Sequence, residues 1–478
     1  MFKRRDKVIL KIENLAFGGQ GIGRVAVDDE KGGESAAKGA GESAPRKLAV
    51  FVENVIPGDE VEVSFYHIKK NFAEANVVRM IKPSELRIAP QCRHFGTCGG
   101  CVWQNLNYEK QLEYKENQVR ESLERIGKFE NPPVKKIIGC KSPWEYRNKM
   151  EFSFDGSGTN LQLGLHLARM HHDVVDIQEC FLVSGICVEI TKFIRDFLKK
   201  AGGSNCSGGS NDETALDLRN FIIREAKTTG EIMANLVTGT EFDSGLMAQL
   251  VAETNKKFPN KITSFYHTKI SDKRGERKSI KEELIFGAPV IREELLIHSE
   301  KIKFDITPSA FFQPNTFQAQ VLYETVFSLA DAQKSDSIFD LFCGTGTIGI
   351  CFAKFATKIF GVEINASAIE IAKKNAELNN LKNIEFLCGD AERTLKNLPQ
   401  NPDIIIVDPP RACLGEKLSL KLAGFKARKI VFVSCNPTTF ARDARVLVDN
   451  GYSLREVQPV DMFPHTYHIE TVAIFEKN

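Results

Sequence analysis

Asp340-Leu341-Phe342-Cys343-Gly344-Thr345-Gly346-Thr347-Ile348-Gly349 follows an apolar run of strand length, Ser337 to Leu341, and leads into a helical pattern, Ile350 to Phe355. Glycines let the backbone turn tightly and approach a ligand, and a helix start offers N–H groups with no partner in the helix. Further strand-length runs at Lys358 to Val362, Ile384 to Leu387, Ile404 to Val407 and Ile430 to Val433 alternate with helical patterns such as Ala366 to Leu378. Ser453 to Val460 and Glu470 to Phe475 add two strands at the end. The alternation predicts a doubly wound α/β sheet closing on a hairpin, in a domain spanning 296–478.

Acids stand where such a sheet binds its ligand. Glu363 ends the second strand, where a carboxylate accepts from a ribose diol. Asp390 follows the third strand, placed to meet an adenine amino group, and Asp408 ends the fourth in Asp408-Pro409-Pro410-Arg411. With Asp340, these acids all fall at strand C-termini. A nicotinamide dinucleotide fits less well, because the loop lacks the third fingerprint glycine and no second mononucleotide half follows. S-adenosylmethionine is the expected cofactor.

Cys435, in Phe432-Val433-Ser434-Cys435-Asn436-Pro437, follows the fifth strand on the same edge. A sulfur nucleophile beside a methyl donor suits an acceptor carbon that must first be activated. C5 of uracil is such a carbon: a thiolate added at C6 makes C5 enolate-like, and a base must later remove the C5 proton. Glu470, in His468-Ile469-Glu470-Thr471, opens the last strand and can return to that edge as the base. A thiol at its ordinary pKa is mostly protonated at neutral pH, so the site is expected to lower that value or supply a base. Cys343, Cys351, Cys388, Cys413, Cys187 and Cys206 show no partner pattern and read as structural.

Upstream, Val8 to Ile12, Gly23 to Ala26, Leu48 to Val52, Asp59 to Tyr66 and Phe72 to Ile81 read as short strands with glycine turns, a small OB-like barrel over 1–84. Gly18-Gly19-Gln20-Gly21-Ile22-Gly23 reads as turn geometry, since no βα alternation follows it. Residues 29–47, rich in Gly, Ala, Ser, Glu and Lys, read as a disordered insertion. Residues 85–295 form a mixed central domain with helices at Tyr108 to Ile126 and Ser184 to Lys200. Its expected strands are Lys149 to Phe154, Gln162 to Leu167, Asn220 to Glu225, Ile232 to Leu236 and Lys261 to Tyr266.

A net charge of +2 over 478 residues gives no general pull on nucleic acid, so any such surface is local. No apolar run is long enough for a membrane span, and the basic start lacks a signal-peptide core. A cytoplasmic protein, with no membrane partner, is expected. Its 12 cysteines then point to metal ligation, catalysis or packing rather than disulfides.

The loop at 340–346, Asp408-Pro409-Pro410-Arg411, Ser434-Cys435-Asn436-Pro437, His468-Ile469-Glu470-Thr471 and Arg442-Asp443 together resemble the RNA 5-methyluridine methyltransferases, over essentially the whole chain. The resemblance implies methyl transfer from S-adenosylmethionine to uracil C5 in RNA. By that analogy Cys435 is the nucleophile and Glu470 the base. Gln313, in Phe311-Phe312-Gln313-Pro314-Asn315, would bind the cofactor with Phe342, Thr347, Glu363, Asp390 and Asp408. The barrel resembles a TRAM domain, an RNA-binding module more usual in the ribosomal branch. The expected substrate is therefore 23S rRNA, with the T-loop uridine of tRNA as the alternative. Nothing reads out an oligomer, and a monomer is expected.

Cys92-x5-Cys98-Gly99-Gly100-Cys101 brings three thiols onto a glycine turn. Zinc usually takes a second Cys-x2-Cys pair or histidines. Cys180 is the preferred fourth ligand and Cys140 the rival, while His94 reads as a surface or packing residue. Four thiolates suit an iron–sulfur cluster, and the resemblance implies a [4Fe-4S] centre at Cys92, Cys98, Cys101 and Cys180. Lys269, Lys273, Arg274, Arg277, Lys278 and Lys281, with Tyr146-Arg147-Asn148-Lys149-Met150, are the candidate RNA contacts. The target base must leave its stack to reach Cys435.

Three rival chemistries fit these residues less well. An amino methyltransferase usually carries an aromatic where Arg411 stands. A 5-methylcytosine enzyme needs a Pro-Cys dipeptide where Asp408-Pro409-Pro410 stands. A non-catalytic iron–sulfur scaffold has no use for Cys435, Glu470 and the cofactor acids.

Overall fold

The computed structural model describes residues 2–27, 47–168, 173–202, 216–272, 278–395, 398 and 402–478. The insertion expected at 29–47 lies outside them except for Lys47, as do Lys273, Arg274 and Arg277. The chain forms two compact units: Met1–Gly96 with Cys101–Gln118 and Pro464–His468, and Thr97–Gly100 with Val119–Phe463 and Ile469–Asn478.

The first unit holds a closed barrel of five strands: β1 (Lys7–Leu15), β2 (Gly21–Ala26), β3 (Lys47–Val52), β4 (Glu60–Ile68) and β5 (Phe72–Lys82), ordered β1-β2-β3-β5-β4. Every second residue of β4 turns inward, so Val61, Val63 and Phe65 meet Leu10, Ile12, Val50 and Val52 in one core. Closure removes the free edges of an open sheet. Gly18 and Gly19 take positive φ, and the Gly19 carbonyl accepts from Trp103 Nε1 at 3.2 Å, so the glycine run is a packed turn.

In the second unit, β6 (Lys149–Asp155), β7 (Gln162–His166), β8 (Val174–Asp176), β9 (Leu218–Glu225), β10 (Ile232–Thr238), β11 (Ile262–Ser271) and β12 (Ser279–Gly287) form one sheet, ordered β12-β11-β10-β9-β6-β7-β8. The β10–β11 pair is parallel, and its crossover is a helix over Ser244–Lys257. A hairpin of β13 (Ile291–Ile297) and β14 (Glu300–Ile306) follows.

The third sheet positions the site. Its strands are β15 (Ser337–Leu341), β16 (Lys358–Glu363), β17 (Ile384–Cys388), β18 (Ile404–Val407), β19 (Lys429–Ser434), β20 (Tyr452–Val460) and β21 (Glu470–Lys477), ordered β17-β16-β15-β18-β19-β21-β20. The first five are parallel, and β21 enters antiparallel to β19. Ile404 to Val407 are all buried, as expected of a central strand covered on both faces. Among the described residues no helix is long and apolar enough to cross a membrane.

Candidate active site on the sheet edge

The strand order translates directly into the order of side chains along the C-terminal edge. Asp390, Glu363, Phe342, Asp408 and Cys435 follow β17, β16, β15, β18 and β19 in turn. Neighbouring strands lie about 4.8 Å apart, so these residues form one row. β21 runs the other way, and its first residue, Glu470, joins the row beyond Cys435. The β19–β21 ladder ends with Ser434 opposite Thr471, and Cys435 and Glu470 are the next step outward.

At the loop, the Asp340 carboxylate is fully buried and accepts from Gly349 N–H at 2.8 Å through one oxygen. Its other oxygen has no hydrogen-bond partner. Burial pushes its pKa up to about 7, with the charges of Asp408 and Glu363 acting in the same direction. Gly346 needs its hydrogen side chain: at φ +79° a Cβ would lie 2.6 Å from the Phe386 ring. Phe342 holds a positive φ of 63° without being glycine, a local strain of the kind found in ligand-binding turns. Glu363 accepts from Gly344 N–H at 3.2 Å and from Asn365 N–H at 2.9 Å. Asp390 caps the short helix after it by accepting from Arg393 N–H. Thr347 Oγ1 accepts from the Tyr323 hydroxyl at 3.3 Å. The orphaned Asp340 oxygen, the glycine turn and the row of acids fit S-adenosylmethionine, whose sulfonium and hydroxyls need acceptors.

Gln313 arrives on a separate segment, which the central sheet grips. Its carbonyl accepts from Asn148 Nδ2 at 2.8 Å, and Asn148 Nδ2 also reaches Thr316 Oγ1. The Arg224 guanidinium holds the Pro308 and Ala310 carbonyls. The Tyr146–Met150 run, expected to meet RNA, thus has Tyr146 and Asn148 in the interior. Lys149 stands opposite Arg224, and burial lowers its pKa.

Cys435 sits among charges. Burial, then the Glu470 and Asp408 carboxylates, push its thiol up to about 12, while the Arg411 guanidinium acts against them. Burial holds Glu470 well above the usual carboxylate range. Asp408 is raised to about 7 by desolvation. The expectation that the site lowers the Cys435 pKa is therefore not met in the ligand-free protein. Desolvation beside two carboxyls disfavours a further anion.

Two features escaped the sequence reading. Arg411 stands in the sequence as part of the Asp408–Arg411 motif and against an amino methyltransferase, and its charge acts on both Cys435 and Glu470. Cys413, read as lacking partners, lies 3.2 Å from Ser434 Oγ and 3.1 Å from Thr439 Oγ1.

Among the described residues no group of three or more His, Cys, Asp or Glu is arranged to hold a metal ion. Cys92 and Cys101 belong to the first unit, Cys98 and Cys180 to the second. Gly100 N–H donates to Cys98 Sγ at 3.4 Å, and the Leu182 and Val183 N–H groups donate to Cys180. The rival Cys140 is buried, its thiol donating to the Ser142 carbonyl. In the basic run, Lys269 and Lys281 face each other across β11 and β12 and both pair with Glu283.

Comparison with known proteins agrees with this geometry. Residues 274–478 match the family model described as tRNA (Uracil-5-)-methyltransferase. The chain is 36% identical to a protein of Caldanaerobacter subterraneus subsp. tengcongensis described as an uncharacterized RNA methyltransferase, over 98% of this chain and 99% of that one. It is 35% identical to another so described from Halalkalibacterium halodurans, covering 92% and 94%. The crystal structure of Pyrococcus abyssi tRNA (uracil-54, C5)-methyltransferase in complex with S-adenosyl-L-homocysteine superposes with a TM-score of 0.71 at 28% identity, covering 98% of this chain and 100% of that one. With its barrel, its α/β sheet and these relatives, the chain belongs to the RNA (uracil-5-)-methyltransferase family.

Proposed function

We propose that this enzyme methylates C5 of a uridine through covalent addition of Cys435 to C6, with Glu470 removing the C5 proton. The observation that carries the reading is the β19–β21 ladder, whose last pair, Ser434 and Thr471, brings the adjoining Cys435 and Glu470 to the sheet edge that holds the acids. Bound S-adenosylmethionine supplies an electrophilic methyl group. Gln313, Phe342, Thr347, Glu363, Asp390 and Asp408 are the residues that would hold it. Cys435 sulfur bonds to C6, and the ring electron pair moves to C5. C5 takes the methyl group. Glu470 then takes the C5 proton, and the returning electron pair expels the Cys435 thiolate. Burial disfavours the Glu470 carboxylate, and the arrival of a cationic methyl donor favours it. The thiol of Cys435 gives up its proton to a base, since burial and the neighbouring carboxylates hold its pKa up to about 12.

Large-subunit ribosomal RNA is the first reading for the substrate, on the N-terminal barrel. The Pyrococcus abyssi likeness favours a second, transfer RNA, because it spans that barrel as well as the catalytic sheet. Incubation with labelled S-adenosylmethionine and, separately, unmodified 23S rRNA and tRNA transcripts decides between them. Label in 5-methyluridine from one RNA alone identifies it, and label in another nucleoside overturns the uracil chemistry.

A four-iron cluster on Cys92, Cys98, Cys101 and Cys180 is also proposed, as a folding element with no step in the chemistry. The Gly100 N–H donated to Cys98 sulfur supports it, since such a bond favours thiolate, while at Cys180 burial outweighs the N–H groups and raises the pKa. Anaerobic purification followed by iron and sulfide analysis tests it: four of each per chain is expected, and their absence from an active enzyme removes the cluster.

A further inference from the structure

The loop between β18 and the next helix, Gly415–Gly424, is fastened residue by residue to the segment that carries Cys435. The Arg411 carbonyl accepts from Asn436 Nδ2 at 3.3 Å and from Thr439 Oγ1 at 3.1 Å. The Ala412 carbonyl accepts from Arg442 Nη2 at 3.2 Å. Cys413 Sγ meets Ser434 Oγ and Thr439 Oγ1. The Leu414 and Gly415 N–H groups both donate to one oxygen of Asp443, at 2.8 and 3.0 Å. The other Asp443 oxygen accepts from Arg442 Nε at 2.7 Å.

Asp443 is therefore the anchor of the arrangement. Its side chain is fully buried on the helix Pro437–Asp449, which Asn436 caps immediately after Cys435. It grips the far end of the loop directly, and it aims Arg442 at the middle. A buried carboxylate with all of these donors is well satisfied, and removing its charge leaves donors unpaired. The loop's near end carries Arg411, the cation that acts on both Cys435 and Glu470. The groups that face Cys435 are Glu470 from β21, Asp408 from the end of β18, and Arg411 and Cys413 from this loop.

We propose that Asp443 is a positioning residue for methyl transfer: it locks the Arg411–Gly415 loop to the nucleophile's helix and so keeps the Arg411 charge at Cys435 and Glu470. This rests on Cys435 being the nucleophile. Asp443 touches no reacting atom, and loosening the loop leaves Cys435 facing two carboxyls without a fixed cation.

The test uses Asp443→Asn and Arg442→Gln in the full-length enzyme, with Cys435→Ala as control. Steady-state methylation, S-adenosylhomocysteine affinity, and the pH dependence of Cys435 alkylation are measured. In folded Asp443→Asn, kcat falls about tenfold or more and the alkylation profile moves about one pH unit upward, while KM and S-adenosylhomocysteine affinity stay within about threefold. Arg442→Gln moves both in the same direction by less. If Asp443→Asn does not fold, Arg442→Gln decides alone. A wild-type alkylation profile and kcat in a folded variant overturn the proposal and leave Asp443 a purely structural anchor. An active Cys435→Ala enzyme instead removes the underlying reading.

Discussion

Cys435 and Glu470 each adjoin the Ser434–Thr471 pair that ends the β19–β21 ladder, so two residues far apart in sequence meet at one edge of the catalytic sheet, where the Glu470 charge acts on the Cys435 thiol. The antiparallel entry of β21 makes this so. A parallel last strand would have put Glu470 at the opposite end of the sheet.

The charges around Cys435 predict its reactivity. With the thiol pushed up to about 12, its alkylation by iodoacetamide should rise steadily from pH 7 to pH 10 with no plateau. At pH 8 only about one molecule in ten thousand is thiolate. Glu470→Gln removes a repelling carboxylate and should speed alkylation. Peptide mass spectrometry separates Cys435 from the other thiols. A plateau below pH 8 contradicts the account.

Cofactor binding should release protons. Asp340 and Asp408 are each raised to about 7, so near neutral pH each is partly protonated in the free enzyme. A bound sulfonium favours the carboxylates and lowers both values. Calorimetry at pH 7 in buffers of different ionisation enthalpy should find roughly 0.3–1 proton released with S-adenosylmethionine. S-adenosylhomocysteine, with a neutral sulfur, should release clearly less. Affinity for the sulfonium should accordingly rise between pH 6 and pH 8 more than affinity for the thioether.

Gly346→Ala should damage the loop locally. The new methyl would meet the Phe386 ring at 2.6 Å and Ala372 Cβ at 3.1 Å, in a left-handed backbone. The expected cost is about 1–3 kcal/mol of stability. Loss of S-adenosylhomocysteine binding should exceed the loss of stability. Thermal melts with and without ligand measure both, and an unchanged ligand-induced shift speaks against the loop as the cofactor site.

The catalytic sheet was legible because its strands are buried on both faces. Ile404 to Val407 and Ile430 to Val433 read as unbroken apolar runs, and the acids fall where those runs stop. β12 was not legible: Ser-Ile-Lys-Glu-Glu-Leu-Ile-Phe-Gly is exposed almost throughout, so no burial alternation marks it as a strand. The helix expected from Ile350 instead spans Thr347–Phe352, because Gly346 ends the turn earlier than the apolar pattern suggests. At the site, Cys435 and Glu470 carried recognisable chemistry in short motifs. Arg411 and Asp443 stood in recognisable motifs without a role, since their roles depend on a loop path that residue spacing does not encode. The raised Cys435 pKa was equally invisible, because it comes from carboxyls that only the folded sheet brings near.

The most direct test of the account is the intact mass of Glu470→Gln after incubation with substrate RNA and S-adenosylmethionine under denaturing readout. The account predicts a stable protein–RNA adduct mapped to Cys435, because the C5 proton stays in place and elimination stalls. Normal turnover with no adduct would contradict it, and would show that another group removes the proton.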